Sequence, residues 1–163
     1  MPIKRITSDV DIRHYLEERV SRIRQVLINI LIRMGEEAVK EARENHHYKD
    51  RTGNLTSSIG YCVLEDGKVI VESSFDVVTG VWKDDKGRSH PYSGDAGSSK
   101  GREFLHSLIS EHSSGLVLIV VAGMKYAAYV EAKNLNVLDS AEQLVELELP
   151  KLLKQLNYKQ QID

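Results

Sequence analysis

Residues 8–45 carry the strongest pattern in the chain. Ile12, Leu16, Val20, Ile23, Leu27, Ile30, Met34 and Ala38 recur every three or four positions with polar side chains between them. That one-sided spacing predicts an amphipathic helix. Ser8 is suited to cap it, and Asp9 and Asp11 favour its positive end. Unbroken, such a helix would run about 50 Å at 1.5 Å per residue. Gly35 costs about 1 kcal/mol relative to Ala inside a helix and marks the expected bend. Val26, Ile28, Leu31 and Ile32 broaden the stripe in its middle. That stretch should therefore meet more than one neighbour, a second copy of the chain being one candidate.

Beyond Glu44 the pattern changes. Asn45 to Gly53 has no periodicity and reads as a loop. Tyr61–Glu65 and Lys68–Ser73 flank an Asp66-Gly67 pair, the strongest short-range signal for a β-hairpin. On the second strand Val69 and Val71 should share one face, with Lys68, Ile70 and Glu72 on the other. Phe75–Trp82 reads as a further strand, weakened by Gly80. Lys83 to Lys100 offers almost nothing to bury, which predicts a long mobile insertion loop over 83–100. Arg102–His112 then reads as a short helix with Phe104, Leu105, Leu108 and Ile109 inward, ended by Gly115.

Leu116–Val121 is apolar at every position. A run this β-prone is an aggregation hazard on an edge, so its expected place is the centre of the sheet. Val137-Leu138 is expected as a short strand. Ser140 should cap a last helix reaching Leu156, kinked or broken at Pro150. Helix, hairpin, strand, helix, strand, strand, helix is an α+β order. The expectation is a single α+β domain over 1–163. Its long N-terminal helix and its C-terminal helix pack on a mainly antiparallel sheet, with one long inserted loop.

Composition supports a packed domain. The chain has 163 residues, 41% of them hydrophobic, enough for a real core. With 22 Lys and Arg against 24 Asp and Glu the formal charge is −2, and the basic residues are scattered. Arg19, Arg22 and Arg24 interleave with Glu17 and Glu18 and read as a solvated helix face, so no direct nucleic-acid specificity is expected. The single cysteine, Cys62, permits neither an internal disulfide nor a Cys-pair zinc site, and reads as a buried structural thiol. Met1-Pro2-Ile3-Lys4-Arg5 leads into a polar segment without an apolar core, so no signal peptide is expected. The longest apolar run, Leu116–Ala122, is far short of the ~20 residues of a membrane helix. A soluble, non-secreted protein follows as the expectation.

Candidate chemistry is sparse. Ser93 to Gly101 superficially resembles a phosphate loop, but Lys100 is followed by Gly101 where Ser or Thr is needed. Of six histidines, His106 and His112 with Glu111 come nearest to a cluster, and their spacing scatters them around a helix. A small metal-dependent enzyme using His46, His47, His90 and His106 is one alternative, and a bacterial adaptor or regulatory module is another. The serine pairs Ser57-Ser58, Ser73-Ser74 and Ser113-Ser114 do not form a nucleophile elbow. A non-catalytic protein without metal or cofactor is the expected class.

Two phrases stand out. The first is Tyr48-Lys49-Asp50-Arg51-Thr52-Gly53-Asn54-Leu55-Thr56-Ser57-Ser58-Ile59, and the second is Gly123-Met124-Lys125-Tyr126-Ala127-Ala128-Tyr129-Val130-Glu131. Together they resemble a tailed-bacteriophage family of head–tail joining and tail-completion proteins, also described as minor tail components. In that family a long helix leads to a Thr-Gly-x-Leu-x-x-Ser-Ile phrase, then a hairpin, then a strand running into Tyr-Ala-x-Tyr-Val-Glu. Thr52, Gly53, Leu55, Ser58 and Ile59 match the first phrase. Tyr126, Ala127, Tyr129, Val130 and Glu131 match the second. The chain departs from the family after Glu131, where Ala132–Leu138 replaces the usual Phe-Gly-Thr-like turn and Pro-Phe phrase. The stretch 83–112 also reads as an insertion.

The resemblance implies a non-catalytic phage or prophage subunit at the neck or tail end. It implies a ring homo-oligomer with adjacent connector or tail proteins as partners, placed in the virion and in the bacterial host cytoplasm during assembly. Val26, Ile30 and the Tyr126–Glu131 phrase are the candidate contacts. Gly53 would permit a left-handed turn, and Leu55 and Ile59 would lie one helical turn apart. Tyr126, Tyr129 and Val130 would share a helical face laid on the sheet.

Overall fold

The computed structural model describes residues 8–159. The Met1–Arg5 segment considered for a leader, and the two extremes of the 1–163 span, lie outside them. The first helix, α1 (Asp9–Glu44), is a single run of 36 residues. Ser8 caps it as expected, its hydroxyl accepting from the Asp11 N–H at 3.1 Å. Gly35 does not end or divide this helix. Its missing side chain makes room for the Tyr61 ring, which would lie 2.3 Å from a Cβ there. The glycine serves close packing.

After a short turn of helix, α2 (Asn54–Ser57), come strands β1 (Ile59–Glu65) and β2 (Lys68–Glu72). Asp66 and Gly67 between them both have positive φ, as the expected hairpin turn requires. The register shifts between Val63 and Leu64, so Val71 pairs with Val63 and Val69 with Leu64. The two valines, expected on one face, therefore take opposite faces.

The strand β5 (Leu116–Ala122) pairs antiparallel with β1, and the sheet order is β2-β1-β5. The apolar run is thus at an edge and β1 is central, opposite to expectation. Its faces are partly covered instead, with Ile119 and Val121 buried. Val117, Ile119 and Val121 pack with Cys62, Leu64 and Phe75 beneath Leu105. Val120 and Ala122 pack with Ile59 against Ala38 and Ala42 of α1. Cys62 is fully buried, and burial pushes its thiol up to about 11.

The segment 83–100 corrects the sequence reading most. It is not a loop. β3 (Thr79–Lys83) and β4 (Ser89–Ser93) form a second antiparallel hairpin, and α3 (Asp95–Ile109) follows at once. The Asp84 carboxylate organises the hairpin turn by accepting from the Lys86 and Arg88 N–H groups at 2.9 and 2.8 Å. Gly94, Gly97 and Gly101 then face α2 and Ser58. A Cβ at Gly97 would fall 1.9 Å from the Asn54 carbonyl oxygen, and one at Gly94 would fall 2.0 Å from Ser57 Oγ. A helix can dock by its bare backbone, with little side-chain area to announce it. α3 starts earlier than expected, and of its four apolar residues only Leu105 is fully buried, while Phe104 faces solvent.

A short helix, α4 (Ala127–Glu131), and the last helix, α5 (Asp139–Lys159), complete the α+β fold. Val137 and Leu138 form no strand, because their N–H groups are taken by the Glu131 carboxylate. α5 runs through Pro150, whose ring is on the solvent side. It packs along α1. No described helix is long and apolar enough to cross a membrane.

The glycine seam yields a signed prediction. In a mobile loop Gly97→Ala would be neutral or stabilising. Against the Asn54 backbone it should cost about 1–3 kcal/mol, read as a lower urea midpoint with unchanged slope.

Candidate functional site

The first phrase folds into a compact knot. The Asp50 carboxylate accepts from the Thr56 N–H at 2.8 Å, steadying the start of α2. Gly53 has φ +72, the left-handed conformation expected of it. Leu55, Thr56, Ser57 and Ser58 are all buried. Their polar atoms are satisfied: Tyr48 and Thr56 hydroxyls pair at 3.1 Å, Ser57 Oγ accepts from Val78 N–H at 2.8 Å, and Ser58 Oγ donates to the Leu55 carbonyl at 2.7 Å. α2 ends at Ser57, so Leu55 and Ile59 do not share a helical face. Leu55 joins Tyr48, and Ile59 joins Ala38 and Ala42 of α1.

The second phrase closes on the first. Gly123 N–H donates to the Ser58 carbonyl at 3.1 Å as the chain leaves β5. Ala127 then packs with Tyr48, Leu55 and Val137, with Val130 at the margin of the same cluster. Ala127 is therefore the inward residue of α4, and its small size lets the helix approach. Tyr126 and Tyr129, expected on the sheet, are exposed, and the Lys133 ammonium lies 4.3 Å from the Tyr129 ring centroid.

Glu131 has a clear role. Its carboxylate accepts from three consecutive backbone N–H groups, Val137 and Leu138 at 2.8 Å and Asp139 at 3.2 Å. These are orphan donors at the start of α5, where negative charge is favoured. Asn136 adds the cap expected of Ser140. Its Oδ1 accepts from Ser140 N–H at 2.9 Å, and its amide donates to the Asn45 carbonyl at 2.7 Å. The end of α1 and the start of α5 are thereby tied through one side chain.

Both phrases thus meet in one knot, with most of their matched residues turned inward. The surface candidates are elsewhere. Val26 and Ile30 are half-buried. The exposed apolar part of α1 lies nearer its start, where Val10, Leu16 and Val20 are 75%, 53% and 59% exposed. This end overhangs the sheet. The stripe was visible in the sequence, but the point at which the sheet stops supporting it was not.

The histidines are dispersed and engaged. His46 stacks on Tyr48, His90 stacks on Trp82 and meets Asp84 at 3.2 Å, and His106 meets Glu72 at 2.8 Å. His47 sits in the loop after α1, its backbone N–H donating to the Leu135 carbonyl at 2.9 Å. Among the described residues no three His, Cys, Asp or Glu side chains converge as metal ligands. A polar hollow of about 430 Å³ beside Trp82 is lined by Lys49, Asp50, Arg51 and Asp84. Asp84 is held below the usual carboxylate range by hydrogen bonds from the Arg88 backbone and side chain and from His90. No family model matches the sequence, and no curated protein or solved structure matches it.

Substitutions at two positions test the knot. Glu131→Ala should cost about 1–3 kcal/mol by stranding the half-buried Val137 and Leu138 donors, with Glu131→Gln intermediate, both measured by chemical denaturation. Burial, the largest cause, pushes the Tyr48 phenol up to about 12 from 10.0. The fold favours its protonated form, so this stabilisation is full below pH 10 and is lost as pH rises through 12. Tyr48→Phe should lose about 1 kcal/mol at neutral pH with the Thr56 bond. It should also flatten the alkaline decline, leaving the part due to Tyr61, Tyr126 and Cys62, whose protons are likewise favoured by burial.

Proposed function

We propose that this chain is a non-catalytic structural subunit of a tailed phage or prophage, placed at the head–tail junction or tail end. It acts through ring-type contacts with copies of itself and with adjacent connector or tail proteins. The observation that carries the reading is the overhanging first half of α1, an apolar stripe that the other described residues leave exposed. Large exposed apolar patches mark interaction sites. The two phage-like phrases support the same reading, since they pack together as a unit of fold. Rings form when one patch binds a different patch head-to-tail and the rotation closes. The protein's location on this reading is the virion, and the host cytoplasm during assembly.

The metal-enzyme alternative would need His46, His90 and His106 to leave the partners described above. The test is deletion of the reading frame in a producing phage, followed by electron microscopy. Filled heads with separate tails, or tails with defective ends, are expected. Normal infectious particles from the deletion strain would overturn the proposal.

A further inference from the structure

The edge of a β-sheet is a row of backbone donors and acceptors, which proteins guard with charge, proline, bulges or brevity. Three of the free edges here are guarded. β2 carries Lys68 and Glu72 and shifts register against β1 at Val63/Leu64. β3 and β4 are short, at five residues each, with Lys83 closing one and Pro91 inside the other. β5 has none of these devices. Leu116–Ala122 is seven residues in unbroken register with β1, free of charge and proline. It spans about 24 Å as strand. Every second residue turns its N–H and C=O away from β1, and among the described residues nothing bonds to that outer side.

The space beside this edge suits a strand. α5 packs along α1 and stands off β5, leaving an open groove of about 530 Å³. Leu118 and Val120 line one side of it and Val145 and Leu149 the other. A strand added to β5 finds hydrogen bonds at the edge and an apolar helix face above it. We infer that β5 pairs with an extended segment of another protein, apolar at alternate positions and basic near an end. The apolar side chains turn toward Val145 and Leu149. The basic one meets Glu142 or Glu146, the only charges lining the groove among the described residues. This contact is separate from the α1 overhang and does not depend on the structural-subunit reading above.

A second copy offering its own β5 is the simplest competitor, and symmetry opposes it. In an antiparallel β5 pair the two-fold axis stands normal to the joined sheet. Both α5 helices then lie on one face beside that axis. Each turns Glu142 and Glu146 into the shared space, with no basic side chain lining either half. Like charges so placed oppose the pairing. A bare strand brings no second α5.

The probe is a fluorescent nine-residue peptide, valine alternating with threonine between terminal lysines, titrated into full-length protein and read by anisotropy. Its twin is N-methylated at every residue, which keeps the side chains and removes the donors. The first peptide should saturate the protein below about millimolar, and the twin should bind at least about tenfold more weakly. By NMR, the outward amides of β5 should exchange quickly in the free chain and slow at least about tenfold with peptide. The variant Glu142→Lys with Glu146→Lys, changed at two exposed positions, should bind the peptide about fivefold more weakly. Circular dichroism checks its fold, and the other readouts need no variant.

Four results would overturn the pairing: no saturation, equal binding of the methylated twin, β5 amides unchanged by peptide, or undiminished binding to E142K/E146K. A fifth would replace the partner. If the β5 amides of the chain alone become protected as its concentration rises, the edge is taken by a second copy.

Discussion

Where α3 crosses α2, the Gly97 N–H donates to the Asn54 side chain at 3.0 Å, and a methyl group on Gly97 would fall 1.9 Å from the Asn54 carbonyl. This backbone-on-backbone approach sets the height of α3 above the sheet. At the next step along the helix Gly101 admits both the Ser58 carbonyl and the Phe75 ring. Phe75, Leu105 and Ile119 then close one face of the sheet over Cys62 and Leu64. A side chain at either glycine would lift the helix and open that core. The same knot positions Ser58, whose carbonyl holds Gly123 and so fixes the exit of β5 toward α4.

Glycine explains the main gap between what the sequence offered and what the chain does. Ser93–Ser99 is poor in apolar side chains, and glycine there was consistent with flexibility. The same residue is also what a close approach demands, and the two uses look alike in one sequence. Asp66-Gly67 was legible because the hairpin turn needs positive φ at both positions and little else satisfies it. The edge position of β5 was not. A strand apolar on both faces must be covered above and below, and that requirement does not say what lies beside it. The α5 cap was equally hidden, because Glu131 reaches it across a turn of irregular chain while local rules favour Ser140.

The two phrases were conspicuous, but their wording did not reveal which residues face inward. Tyr129 carries more apolar area than Ala127, yet it is Ala127 that packs against Tyr48 and Leu55. Once Glu131 is drawn toward the start of α5, α4 must lie close to the knot, and only a small residue fits beneath it. Electrostatics outranks hydrophobic size in choosing the buried face. The phrases are accordingly marks of this fold first, and only Tyr126 and Tyr129 among them offer substantial apolar surface.

Distance separates folding from association in this molecule. The knot ties to the last turn of α1 through Asn136 and the Asn45 carbonyl. Leu16 lies 28 residues before Glu44 on the same unbroken helix, about 42 Å away along its axis. Between them Arg24 bridges to Glu65 at 3.2 Å, near the end of the sheet, and marks where support for the helix stops. Sites this far apart without shared partners contribute independently. The inner half of α1 is therefore committed to packing, through Ala38 and Ala42, while the outer half can vary its surface chemistry without disturbing the core. An amphipathic stripe continued past its own sheet is a consistent way to present a rigid apolar ridge to a neighbour, since the helix enters the contact already folded and little conformational entropy remains to be lost.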